Sequence, residues 1–129
     1  MLRRDYLIRL IEEFAAALAL ALEKKEFESR RETLLRLYDQ YLGGRDRFHH
    51  VTIDEVMTAV AEWPEHERLQ RMEMLAELYH AESACVAEPE RRDLADKAYA
   101  LYTFVCRHDR TYSFDRLRKM EEVKRWRGE

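Results

Sequence analysis

The sequence predicts an all-α protein, and three observations carry that expectation. Ala, Leu, Glu, Lys and Arg make up 71 of the 129 residues, against only nine Val and Ile, a balance typical of long helices. Apolar residues recur at helical spacing in every long segment, and none alternates with the period of two that a strand requires. With three Gly, two Pro and no Asn, the chain also lacks the Asn-Gly and Asp-Gly turns that close hairpins. Its length suits a single domain over residues 1–129.

About six helices follow in order. Leu7, Leu10/Ile11, Phe14, Leu18 and Ala21/Leu22 form the stripe of an amphipathic helix from about residue 3 to 24. After the polar break at Lys24 to Glu26, the residues Phe27, Leu34/Leu35, Leu37/Tyr38 and Tyr41/Leu42 define helix two, which Gly43-Gly44 ends. Arg45 to Val51 reads as a loop. Thr52, with Glu55 three positions on, is the capping box that starts helix three. Trp63-Pro64 breaks it, because proline disfavours a helical conformation in the residue before it and suits a first helical position.

Helix four is expected from Pro64 to about Ala87, with two apolar stripes. Leu69, Met72, Ala76, Tyr79, Ser83 and Val86 form one; Met74, Leu78, Ala81 and Cys85, nearly opposite, form the other. Such a helix must be sandwiched, either among the chain's own helices or against a second copy. Pro89 opens helix five, with Leu94, Ala95, Ala98, Leu101, Tyr102 and Val105 inward. Ser113 caps helix six, Tyr112 and Leu117 hold the two positions of a hydrophobic staple, and Gly128 stops the helix.

Charge is segregated. Residues 46–88 sum to −7 and residues 89–129 to +3. The complementarity favours an antiparallel homodimer, while a pI near 6 argues against a nucleic-acid module. Cys85 and Cys106 stand without zinc or disulfide-framework spacing and read as buried, unpaired thiols of a reducing cytoplasm. The longest apolar run, Phe14 to Leu22, is too short for a membrane span, and Asp5, Glu12 and Glu13 interrupt any secretory signal.

Phe14, Ala17-Leu18, Ala21, Lys25, Phe27, Leu34 and Leu37 are spaced so that the first hairpin resembles a tetratricopeptide repeat, although Leu18 and Arg30 stand where that repeat takes small residues. Helices four and five resemble a second such pair through Leu75, Ala76, Tyr79, Ala95, Tyr99 and Tyr102, with a spacing longer by about two helical turns. The start, MLRRDYLIRLIE, and the segment DRTYSFDRL from Asp109 to Leu117 together resemble uncharacterised small bacterial proteins with a tetratricopeptide-like helical fold. The resemblance implies antiparallel helical hairpins and a general binding role; it brings no reaction, ligand or catalytic residue.

His66, Gln70, Glu73, Glu77 and His80 share one face of helix four. Glu77-x-x-His80 has the spacing by which di-iron bundles aim a carboxylate and an imidazole at one metal, so Glu73, Glu77 and His80 are the metal candidates. No second Glu-x-x-His exists, and Asp46-x-x-His49 lies in the loop. The expected reading is therefore a solvated polar stripe. His49-His50 is expected to be exposed loop. Asp5, Arg9 and Glu13 form a surface ladder at i, i+4 and i+8. Arg3, Arg4, Tyr6 and Arg9 are candidates to hold an acidic peptide or phosphate in a groove, and Arg116, Lys119, Lys124 and Arg127 give helix six a basic side.

Taken together, these residues predict a non-catalytic scaffold that binds a protein or peptide partner and needs no cofactor. A metal-dependent helical-bundle enzyme and a weak nucleic-acid-binding protein are the readings from other classes.

Overall fold

The computed structural model describes the backbone of residues 2–128 and the side chains of residues 5–128. It contains α1 (Leu2–Leu22), α2 (Phe27–Leu42), α3 (Ile53–Val60), α4 (Glu65–Ser83), α5 (Glu90–His108) and α6 (Phe114–Trp126), plus a 3-10 turn at Arg45–Arg47. No strand occurs among the described residues. The protein is all-α, as composition and periodicity predict.

Local chemistry sets most helix ends. Gly43 takes φ 93°, a left-handed conformation that costs a residue without Cβ little, and its N–H returns to the Tyr38 carbonyl. The Thr52 hydroxyl accepts from Glu55 N–H at 3.1 Å while the Glu55 carboxylate accepts from Thr52 N–H at 3.0 Å, completing the capping box. Ser113 Oγ accepts from Arg116 N–H at 3.1 Å at the start of α6. Pro64 and Pro89 each stand just outside their helix rather than in its first position.

Two ends differ from expectation. α4 stops at Ser83, not near Ala87. There Arg91 Nε, from α5, donates to the carbonyls of Ser83 (3.2 Å) and Val86 (2.9 Å), so a side chain takes over carbonyls that a continuing helix would have bonded. Before α6, the Tyr112 ring meets Phe114 edge-on at 4.9 Å and remains 68% exposed, so it is not stapled down.

α4 is the central helix. It packs against α1 and α2 on one side and α5 on the other, and α6 closes against α5. Met72, Ala76 and Tyr79 of its first stripe and Met74, Leu78 and Ala81 of its second are all buried, Leu78 completely. The chain's own helices thus bury Leu78 and Ala81 of the second face as well as the first, while Met74 also borders an open groove. Of the two ways to bury Leu78 and Ala81, the internal one holds. Leu34, Leu37, Tyr38, Leu94, Leu101 and Tyr102 extend the same core into α2 and α5.

The segment after α2 is no bare loop. Phe48 is fully buried and packs on Trp63 at 5.8 Å, while the Tyr79 hydroxyl donates to the Phe48 carbonyl at 2.7 Å. Both cysteines are free and only half-buried. Cys85 Sγ donates to the Ala81 carbonyl, and Cys106 Sγ lies 3.6 Å from Met120 Sδ on the α5–α6 seam. Among the described residues no helix is long and apolar enough to cross a membrane.

Candidate functional site

α1 has two apolar sides. Leu7, Phe14, Leu18 and Ala21 enter the core. Ile11, Ala15, Ala19 and Leu22, one helical step to the side, form with Phe14 and Leu18 the apolar wall of an open groove. Gln70 and Met74 of α4 make the floor, and Glu73, Glu77, Asp115 and Lys119 make the far wall, around about 360 Å³ of empty space. One wall is hydrocarbon and the other ionic, so a ligand that fills the groove must itself be two-sided.

Glu73 and Glu77 of that wall belong to the Glu73–Glu77–His80 stripe, and the stripe is not a solvated one. α4 and α6 run parallel with their long side chains interlocked. Arg116 donates through Nε and Nη2 to both Glu73 oxygens at 2.7 and 3.1 Å, and through Nη2 to Asp109 at 2.8 Å. Lys119 pairs with Glu77 and, at 3.0 Å, with Asp115. His80 Nε2 lies 3.5 Å from Glu122, and its ring lies 5.5 Å from that of Trp126. Burial raises the Glu77 carboxyl above its ordinary value against the pull of Lys119, and burial also outweighs Glu122 to lower His80. Periodicity on α4 alone could not show this, because the partners lie some forty residues downstream on a helix whose register is set by tertiary packing.

Glu73 and Glu77 each face a cation, and among the described residues no three His, Cys, Asp or Glu side chains converge as a metal site. The basic side of α6 is likewise engaged. Beyond Arg116 and Lys119, Lys124 lies 3.6 Å from Glu121, and Arg127 reaches Asp96 at 2.8 Å and sits over the Tyr99 ring. Arg3 and Arg4 lie outside the residues whose side chains are described, whereas Tyr6 and Arg9 are exposed on α1 and do not line the groove. No ion pair joins Asp5, Arg9 and Glu13.

A second polar centre escapes any reading of the sequence. Glu82 of α4 is fully buried. Its Oε1 accepts from the Tyr38 hydroxyl and from His49 Nε2, both at 2.8 Å, and its Oε2 accepts from Arg31 Nε at 3.1 Å. Arg31 also reaches Glu90 at 2.5 Å. Burial would raise the Glu82 carboxyl, but the bonds and charge of His49, then Tyr38 and Arg31, outweigh it and hold the group below its ordinary value. His49, expected in exposed loop, is thus largely buried against α2 and α4, its ring 4.6 Å from that of Tyr38. The one available signal was that Glu82 falls between the two apolar stripes of α4, where a lone carboxylate demands donors from elsewhere.

A scan of protein families finds no match to this chain, and comparisons with curated proteins and with solved structures likewise find none.

Proposed function

We propose that the chain is a non-catalytic binding protein whose α1–α4–α6 groove holds an amphipathic helical segment of a partner protein. The observation that carries this is the uncovered apolar row Ile11, Ala15, Ala19 and Leu22 facing an ionic wall. Apolar area left open beside polar groups marks interaction sites in soluble proteins, and helix-in-groove recognition uses anchors at this spacing. The occupant is one with an apolar face for α1 and Lys or Arg on the other side, because three carboxylates against one ammonium line the groove, and Glu73, Glu77 and Asp115, already paired with Arg116 and Lys119, would share their remaining acceptor sites with the incoming cation.

The packing order supports the tetratricopeptide-like reading. α1 pairs with α2 and α4 with α5, α4 meets both members of the first pair, and α6 joins α5, leaving α1, α4 and α6 on one groove. Glu73, Glu77 and His80 serve this reading as wall and α6 anchor rather than as metal ligands.

The test uses a synthetic Leu/Lys amphipathic peptide, its Leu/Glu counterpart and a scrambled Leu/Lys control, with binding read by fluorescence anisotropy. The Leu/Lys peptide should bind saturably and the others at least tenfold more weakly, about 1.4 kcal/mol. Ala15→Arg and Ala19→Arg, at exposed positions that leave the core intact, should abolish the difference. Equal binding of all three peptides, or binding unaffected by Ala19→Arg, would overturn the assignment.

A further inference from the structure

His49 presents both ring nitrogens to atoms that only accept. Nε2 meets the Glu82 carboxylate at 2.8 Å, and Nδ1 meets the Arg45 backbone carbonyl at 3.0 Å. A neutral imidazole carries one N–H, so one of these short contacts would set two lone pairs face to face. Only the imidazolium satisfies both. The charges agree: Arg31 and His49 balance Glu82 and Glu90, and removing the His49 proton leaves the buried Glu82 with one cation fewer.

The segment that His49 anchors is bounded at both ends by positive-φ residues. At one end Gly43 and Gly44 take φ 93° and 130°; at the other His50 is held at φ 58°, a region that residues with a side chain occupy only under outside constraint. Between them Phe48 fills the core beneath Trp63. Besides His49, the polar contacts that tie residues 45–49 to the helices among the described residues are the Tyr79 hydroxyl on the Phe48 carbonyl, the Arg45 contacts to Asp39 and Glu32, and the outer Arg47–Glu62 ion pair.

We infer that His49 is a buried imidazolium serving as a proton-operated latch, and that its deprotonation releases residues 43–51, with Phe48, from α2 and α4. The groups facing it are Tyr38, Arg31 and Asp39 from α2, Glu82 and Tyr79 from α4, and Arg45 and His50 from its own segment, with Glu90 of α5 acting through Arg31. Burial and the Arg31 charge push His49 down, but the bond and charge of Glu82 and the Arg45 carbonyl outweigh them, so its ionisation sits above the ordinary histidine value. The stabilisation is accordingly full below about pH 6.5 and disappears as pH rises through the raised value. Glu82, held below its ordinary range, opens the latch only in acid.

The experiment is made on the full chain by NMR. Below about pH 6.5 both His49 ring nitrogens should carry protons, with the titration midpoint above that value. Across that titration, amide protection at Phe48 and His49 should fall at least tenfold beyond the intrinsic effect of base, and the Phe48–Trp63 ring contact should weaken. His49→Gln, which can serve only one of the two acceptors as donor, should remove the pH dependence. A His49 ring already singly protonated below about pH 6.5, or loop protection that does not follow its titration, overturns the latch. The ring-proton count is made on the unaltered chain, so it decides the matter even if the variant does not fold.

Discussion

α4 is joined to its neighbours by two charged seams built on opposite plans. Toward α2 and the following segment, a single carboxylate gathers three donors: Glu82, fully buried, accepts from Tyr38, His49 and Arg31. Toward α6, the contacts are spread in a ladder of two ion pairs, Glu73–Arg116 and Glu77–Lys119, followed by His80 beside Glu122, with side-chain exposures between 6% and 29%. A concentrated buried centre is all or nothing, because losing the carboxylate strands several donors at once. A distributed, partly wet ladder loses its rungs singly and stays within reach of salt.

The strongest way to break the comparison is Glu82→Ala. It leaves a guanidinium, an imidazole and a phenol without their common acceptor, and the expected loss is about 3–5 kcal/mol in chemical denaturation. Glu73→Ala takes one rung from the ladder and should cost about 1.5 kcal/mol, toward the low end for a charged hydrogen bond because water reaches the site. Ser113→Ala, which removes only the α6 cap, should cost about 1 kcal/mol. Salt sharpens the contrast without mutation. Between about 0.1 and 1 M the Debye length falls from about 10 to 3 Å, and hydrogen exchange should quicken in α6 while the amides around Tyr38 and Glu82 stay protected. Equal losses from Glu82→Ala and Glu73→Ala would mean that the two seams do not differ in kind.

The same contrast explains what could be read in the sequence. The all-α class, the stop at Gly43, the Thr52 capping box and the Ser113 cap depend on residues within a turn of one another, and they were legible. The double stripe of α4 was also legible as a sandwiched helix. Which elements cover it was not: Leu78 can be buried by a second copy as well as by its own chain, and only the tertiary arrangement decides. The Glu73–Glu77–His80 stripe looked solvated because its partners Arg116, Lys119 and Glu122 belong to a helix whose register no local pattern reveals. His49 was the hardest case. In sequence it is one of two histidines in a polar stretch, and its role exists only because Tyr38 and Glu82 meet there.

Most helices in this chain pack against neighbours in sequence, so their contacts close over short loops. Arg31 is an exception, reaching Glu82 and Glu90 across 51 and 59 positions. Closing long loops costs entropy before the contact is gained, and such contacts form late. Time is therefore written unevenly into the molecule: the hairpins decide how fast the chain folds, and the Glu82 centre decides how long it stays folded. Glu82→Ala should raise the unfolding rate and leave the folding rate nearly unchanged in stopped-flow measurements.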